Sequence, residues 1–92
     1  MEKNLWSKRR IVEDSLVEYH KYRTDVVAKL ISIDEKGFKI MFTGHFCEIC
    51  GISDEYQLVL YFLEEKGLKS EINKIQKFDD EFIAEFKIIG QQ

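Results

Sequence analysis

The residues with the clearest potential for chemistry lie in one short stretch, FTGHFCEICGISDE, from Phe42 to Glu55. It contains both cysteines of the chain, Cys47 and Cys50, in a CxxC pattern, and His45 stands two residues before the first of them. Thiolates select soft or borderline ions such as Cu(I) and Zn²⁺, and a two-residue spacing lets both sulfurs point at one ion. The pattern predicts a Zn or Cu(I) site with Cys47 and Cys50 as ligands and His45 as a third.

The other histidine of the chain, His20, is a candidate fourth ligand, which would complete a Cys₂His₂ zinc site. Structural zinc sites usually have two close pairs of ligands, and here the second pair would be split between His20 and His45. A symmetric dimer could instead supply four thiolates from two chains. By itself, His20 also fits an ordinary residue at a helix C-terminus, where the macrodipole favours a cation.

Two other interpretations of the CxxC stay open. A dithiol near a helix N-terminus is typical of thioredoxin-like redox proteins, but no Trp stands directly before Cys47 and the chain has no proline to supply a cis-proline. The structural interpretation is a disulfide, or a pair of packed thiols, that braces a loop with Phe46 and Ile49 as apolar neighbours.

The rest of the chain supports no enzyme mechanism. Its five glycines never cluster into a phosphate loop, and neither GxSxG nor HExxH occurs. Asp79 and Asp80 are typical of a solvated hairpin turn. The basic run Lys8, Arg9 and Arg10 fits a solvated helix face, and a net charge of −3 argues against a nucleic-acid partner.

Hydrophobic periodicity predicts six elements to position these residues. A helix over 4–22 precedes a hairpin formed by 26–33 and 38–44 around DEKG, where Gly37 is expected to adopt a positive φ. A second helix follows the cysteines and ends at Gly67, which with Leu68 predicts a Schellman stop. A second hairpin has strands at about 70–78 and 81–89. The inward residues are predicted to be Leu5, Val12, Leu16, Tyr19, Tyr56, Val59, Leu60, Leu63, Phe82, Ala84, Phe86 and Ile88.

The order α-β-β-α-β-β consists of two αββ units that must share one core. The predicted fold is a single α+β domain over 1–92, a four-stranded antiparallel sheet with both helices on one face. The implied strand order is third, fourth, second, first, which is a circular permutation of the ferredoxin-like fold. Following the chain direction places the CxxC, His20 and the Asp79-Asp80 turn at one end of the sheet.

Residues 38–88 resemble a heavy-metal-associated domain. FKIMFTGHFCEIC is similar to that family's first strand and its G-M-x-C-x-x-C loop, EYQLVLYFLEEKGLKSEI to its helix and second strand, and KFDDEFIAEFKI to its hairpin. The resemblance implies a soft ion such as Cu(I) held by Cys47 and Cys50. The chain departs from the family at His45, which stands where the family has Met, and in GISDE, which delays the helix.

Composition limits the remaining possibilities. Ninety-two residues with 45% hydrophobic and 34% charged content are typical of one small globular domain. No stretch approaches a membrane span, and MEKNLWSKRR lacks the apolar region of a secretion signal, so we expect a cytoplasmic protein without a membrane partner. Eleven Lys and eleven Glu against two Asn and four Gln resemble small proteins of thermophilic archaea.

The first strand is apolar on both sides, which predicts an interface. Val26, Ala28 and Leu30 alternate with Val27, Ile31 and Ile33, and Met41, Ile83 and Ile89 add to the side away from the helices. A sheet covered on one face should have a polar second face. We therefore expect a homo-oligomer, a dimer packed through the open sheet face.

Overall fold

The computed structural model describes residues 2–24, 26–44, 53–78 and 81–91. The elements are α1 (Glu2–Tyr22), β1 (Val26–Ile33), β2 (Gly37–Gly44), α2 (Ser53–Glu65), β3 (Leu68–Lys77) and β4 (Glu81–Gln91). The predicted order α-β-β-α-β-β is confirmed. None of the described helices is long and apolar enough to cross a membrane.

The four strands form one antiparallel sheet in the order β1-β2-β4-β3. This is the predicted order, so the fold is α+β with a circularly permuted ferredoxin-like arrangement. β2 and β4 are the interior strands, and β1 and β3 are the edges. The register pairs Gly44 with Val26 and Gly37 with Lys87, so we name the two ends of the sheet the Gly44 end and the Gly37 end.

The core lies between the two helices and one face of the sheet. Phe38 stacks on Phe86 with ring centroids 4.8 Å apart, and Phe42 stacks on Phe82 at 4.6 Å. Each pair joins directly opposite residues of β2 and β4, so the stacking adds to the ladder of hydrogen bonds. The other buried apolar residues are Val12, Leu16, Tyr19, Val26, Ala28, Ile40, Val59, Phe62, Leu63, Leu68 and Ala84.

The predicted inward stripes are largely confirmed. Tyr56, Leu60 and Ile88 are half-buried against the core, whereas Phe62, which is not among the predicted inward residues, is buried. The side chain of Leu5 lies outside the described residues.

Gly37 is needed for a reason other than the predicted one. Among the described glycines, φ is positive at Gly44 and Gly67, not at Gly37. A Cβ at Gly37 would overlap the backbone carbonyl of Phe86 on the neighbouring strand. The glycine therefore permits a close approach of two backbones. The turn before it is held by the carboxylate of Asp34, which accepts hydrogen bonds from the N–H groups of Lys36 and Gly37 at 2.8 and 2.9 Å.

The stop at the end of α2 follows the prediction. Gly67 has φ 90° and donates its N–H to the carbonyl of Glu64 at 3.0 Å. Leu63 and Leu68, on either side of the stop, are both fully buried in the core. These are the features of a glycine-terminated helix with its hydrophobic contact.

A bulge in β1 corrects the predicted alternation of that strand. The register passes from Leu30 opposite Ile40 to Ser32 opposite Lys39, so Ile31 is an extra residue. Beyond the bulge, Ile33 pairs with Phe38 and packs against the core. The prediction that Ile33 faces away from the helices is therefore wrong, because one inserted residue reverses the faces of those that follow.

Candidate functional site

The chain positions around the CxxC are gathered at the Gly44 end of the sheet. Gly44 is the last residue of interior strand β2, and α2 begins at Ser53. At the same level β1 starts with Val26, the register partner of Gly44. β4 starts with Glu81, the partner of Thr43. The segment that joins β2 to α2 is therefore attached at one end to the middle of the sheet. Cys47, Cys50 and His45, and also Asp79 and Asp80, lie outside the described residues.

His20 reaches this end and is already engaged there. Its Nε2 accepts a hydrogen bond from the backbone N–H of Ala28 at 3.0 Å, and its ring makes an edge contact with the ring of Tyr19. Ala28 belongs to edge strand β1, so the imidazole satisfies a donor on the sheet edge. Because Nε2 must be unprotonated to accept this bond, a neutral ring carries its proton on Nδ1. As a metal ligand, a neutral His20 would have to give up the bond from Ala28, because only one of its ring nitrogens has a free lone pair.

An aromatic column supports the Gly44 end. Phe42, two residues before Gly44, lies between the ring of Tyr19, 5.7 Å away, and that of Phe82. All three residues are fully buried. The column fixes the end of α1 and the ends of both interior strands relative to one another, because close-packed rings leave little room for movement.

The described residues contain no group of three or more His, Cys, Asp or Glu side chains that could hold a metal ion.

Both arginines of the basic run on α1 form ion pairs with carboxylates one turn further along the helix. Arg9 forms an ion pair with Glu13 at 3.5 Å and Arg10 with Asp14 at 4.0 Å, both at the i,i+4 spacing. All four side chains are more than half exposed. Such exposed helical pairs contribute a few tenths of a kcal/mol, about 0.3–0.5 each, and are typical of a solvated helix face.

The sheet face away from the helices, which we call the open face, divides into two halves. Toward the Gly44 end four apolar side chains are grouped: Met41 and Ile83 are half-buried register partners, with Val27 and Phe78 each more than half exposed on either side. Polar residues lie among them, because Lys29 pairs with Met41, Gln76 with Ile83 and Glu81 with Thr43. Toward the Gly37 end it is ionic. Lys39 pairs with Glu85 at 3.8 Å, and the same carboxylate accepts a hydrogen bond from Asn73 at 2.9 Å.

This ionic half could not be predicted from hydrophobic periodicity. Lys39 and Glu85 are direct cross-strand partners, which only the register reveals. Asn73 is the extra residue of a bulge in β3. A depression of about 330 Å³ lies beside them. It spans the open face from Ser32 to Asn73 and includes Gly37 and Lys87.

Comparison of the chain with family models, curated proteins and solved structures found no match. The resemblance to heavy-metal-associated domains stays a prediction that rests on residues 38–88 alone.

Proposed function

We propose that this protein binds a soft metal ion, Zn²⁺ or Cu(I), through the thiolates of Cys47 and Cys50, with His45 as a further ligand. The chemistry of the ligands is the first support, because two thiolates spaced by two residues are a preferred donor set for both ions. A cytoplasmic location suits such a site, since the cytoplasm keeps thiols reduced.

The observation that carries the proposal is where the HxCxxC segment is attached. It begins directly after Gly44, on an interior strand held by the aromatic column of Tyr19, Phe42 and Phe82. It ends at the start of a 13-residue helix, Ser53. A ligand segment anchored at both ends to packed elements loses less conformational entropy when it closes on an ion than a free segment does.

Native mass spectrometry of the full chain, purified without a chelator, tests the proposal. We expect bound Zn or Cu in the unaltered chain and none after replacement of Cys47 and Cys50 by Ser. Replacement of His45 by Asn should weaken binding. His20→Asn is the matched control: it changes the other histidine, which the structure engages at Ala28, and should keep the full metal content.

Two results would contradict the proposal. One is metal at full stoichiometry in the chain that lacks both thiols. The other is a chain that takes up no metal and has lost the mass of two hydrogen atoms, which would assign the cysteines to a disulfide that braces the loop.

The second candidate function is an oligomeric binding or scaffold module, a dimer formed through the open face. The observation that favours it is the group of apolar side chains toward the Gly44 end of that face. Val27, Ile31 and Phe78 are large apolar side chains about half exposed or more, and Met41 and Ile83 lie between the two edges of the sheet. Large exposed apolar side chains grouped on a sheet surface are typical of an interface.

A further inference from the structure

The open face combines a group of apolar side chains with an ordered pair of opposite charges, and this combination specifies how a second copy would fit. We propose that two copies pack their open faces together about a two-fold axis that runs parallel to the strands, between β2 and β4. This inference rests on the second candidate function, the dimer, and adds its geometry.

Such an axis exchanges β2 with β4 and β1 with β3, and leaves every residue at its own level along the strands. A residue on β2 therefore lies over the partner's copy of its own neighbour on β4. Sheets that pack face to face are about 10 Å apart with strands within about 30° of each other, so opposite side chains near the axis meet.

The charges beside the axis fit this arrangement. Lys39 and Glu85 are register partners on β2 and β4, so Lys39 would lie over the partner's Glu85, and Glu85 over the partner's Lys39. The four side chains form a ring of alternating sign. Within one chain the side chain of Lys39 is half exposed, that of Glu85 is one-third exposed, and their charged atoms are 3.8 Å apart. The ion pair therefore contributes little to stability on its own. Partial burial in the dimer strengthens it.

The apolar residues fit the same axis. Met41 and Ile83 are partners on β2 and β4, and each would lie over the partner's copy of the other. Val27 on β1 and Phe78 beside β3 exchange in the same way and extend the contact to both edges. The exposed fractions of these two side chains, 58% and 51%, leave much apolar surface to bury.

The depression on the ionic half also fits this axis, because a side chain of the partner would lie over it. Gly37 and Lys87 are register partners, so the two-fold axis places the partner's Lys87 over Gly37. Gly37 lacks a side chain and lines the depression, which leaves room for that lysine. At the rim, Glu71 would face the partner's Asp34, whose carboxylate is turned toward the amides of its own turn. Solvent screens such rim charges.

A two-fold axis across the strands at the level of Met41 fits the charges less well. It would set Glu85 over the partner's Glu81 and Lys39 over Thr43, and like charges across an interface disfavour association. The Lys39–Glu85 pair therefore favours the axis parallel to the strands over this one. The open face, with four strands about 4.8 Å apart, buries on the order of 1,000 Å² in total, close to the minimum for a specific interface, so the dimer should be reversible.

Sedimentation velocity of the full chain, from micromolar to near-millimolar concentration and with a chelator present, provides the test. We expect a reversible dimer. Lys39→Glu and Glu85→Lys should each raise the dimer dissociation constant about tenfold or more, because each places like charges around the axis. Lys21→Glu, the same charge change on an exposed residue of α1, is the matched control and should leave the constant unchanged.

Mixing experiments by native mass spectrometry, with one chain isotope-labelled, test the axis itself. The Lys39→Glu chain and the Glu85→Lys chain should form mixed dimers with each other. The double exchange Lys39→Glu/Glu85→Lys should dimerise with itself but not with the unaltered chain, since like charges then face each other across the axis. Val27→Lys should also weaken the dimer, and its exposed position makes it tolerable to the single chain.

A monomer at all concentrations would overturn both this inference and the dimer. A dimer whose double-exchange chain mixes freely with the unaltered chain would overturn the axis and keep the dimer. Because a chelator is present throughout, neither result bears on the metal proposal.

Discussion

At the scale of the residue, single atoms decide which functions are open to a position. His20 was a candidate ligand because it is an imidazole near the predicted site. In the structure its Nε2 accepts a hydrogen bond from the backbone N–H of Ala28. Metal binding by this ring would compete with that bond. The role of Gly37 also depends on a single atom. That atom is the carbonyl oxygen of Phe86 on the neighbouring strand, and the φ of Gly37 itself is not the reason for the glycine.

Replacement of Gly37 by Ala should destabilise the fold by about 2–3 kcal/mol, because the new Cβ overlaps the Phe86 carbonyl and the strands must move apart. Gly90→Ala is the matched control: a Cβ at Gly90 meets no atom within 4 Å, so its free energy of unfolding should change by less than about 0.5 kcal/mol. Urea denaturation monitored by circular dichroism measures both. Equal effects of the two substitutions would disprove the close approach at Gly37.

At the scale of the element, the interior strands are joined by aromatic pairs and the edge strands are protected locally. Phe38–Phe86 and Phe42–Phe82 each bridge β2 and β4 at directly opposite positions. Edge strand β1 has a bulge at Ile31 and one amide covered by His20. Bulges and covered edges hinder pairing with another chain. A partner is therefore better accommodated on the open face than along the β1 edge.

A double-mutant cycle tests the stacking between strands. Phe42→Leu and Phe82→Leu should each destabilise the fold, and the pair should show a coupling energy of about 0.5–1.5 kcal/mol, because the rings stack at 4.6 Å. The control cycle combines Phe38→Leu with Phe82→Leu, which are four register levels apart and should be additive. Chemical denaturation of the four chains of each cycle gives the energies. Additivity at Phe42 and Phe82 would show that the stack contributes only burial.

At the scale of the whole molecule, the two proposals meet at the Gly44 end. A two-fold axis parallel to the strands keeps the Gly44 residues of both copies at the same end, roughly 11 Å apart if the sheets are spaced as usual. Cys47 follows three residues later and is within about 10 Å of chain length from Gly44. Such a dimer therefore has the attachment points of both CxxC segments at one end, and four thiolates from two chains, in place of two thiolates and His45, would match the four ligands of a structural zinc ion.

We expect metal binding and dimerisation to be coupled. Zn²⁺ should lower the dimer dissociation constant, and the dimer should hold one ion for two chains, because an ion that binds the dimer better than the monomer stabilises the dimer. Sedimentation velocity with and without Zn²⁺, together with native mass spectrometry, measures both quantities. Val27→Lys, which impairs the dimer, should weaken zinc binding. One ion per chain and an unchanged dissociation constant would separate the two functions.

The sequence by itself determined the element order, the sheet order, most of the core and the attachment of the CxxC between β2 and α2. These features follow from local information: hydrophobic periods, turn residues and the short connections that force neighbouring elements together. The two αββ units had one economical way to share a core, which is why even the strand order could be predicted.

Only the tertiary structure decided the features that depend on register. The bulge at Ile31, the Lys39–Glu85 pair, the approach of Phe86 to Gly37 and the bond from Ala28 to His20 each join residues far apart in the sequence or depend on one inserted residue. Periodicity gives the face of a strand but not its offset against its neighbour, and a slip of one residue exchanges the two faces. The open face, predicted to be apolar, therefore has a group of apolar side chains among polar ones toward the Gly44 end and is ionic toward the Gly37 end.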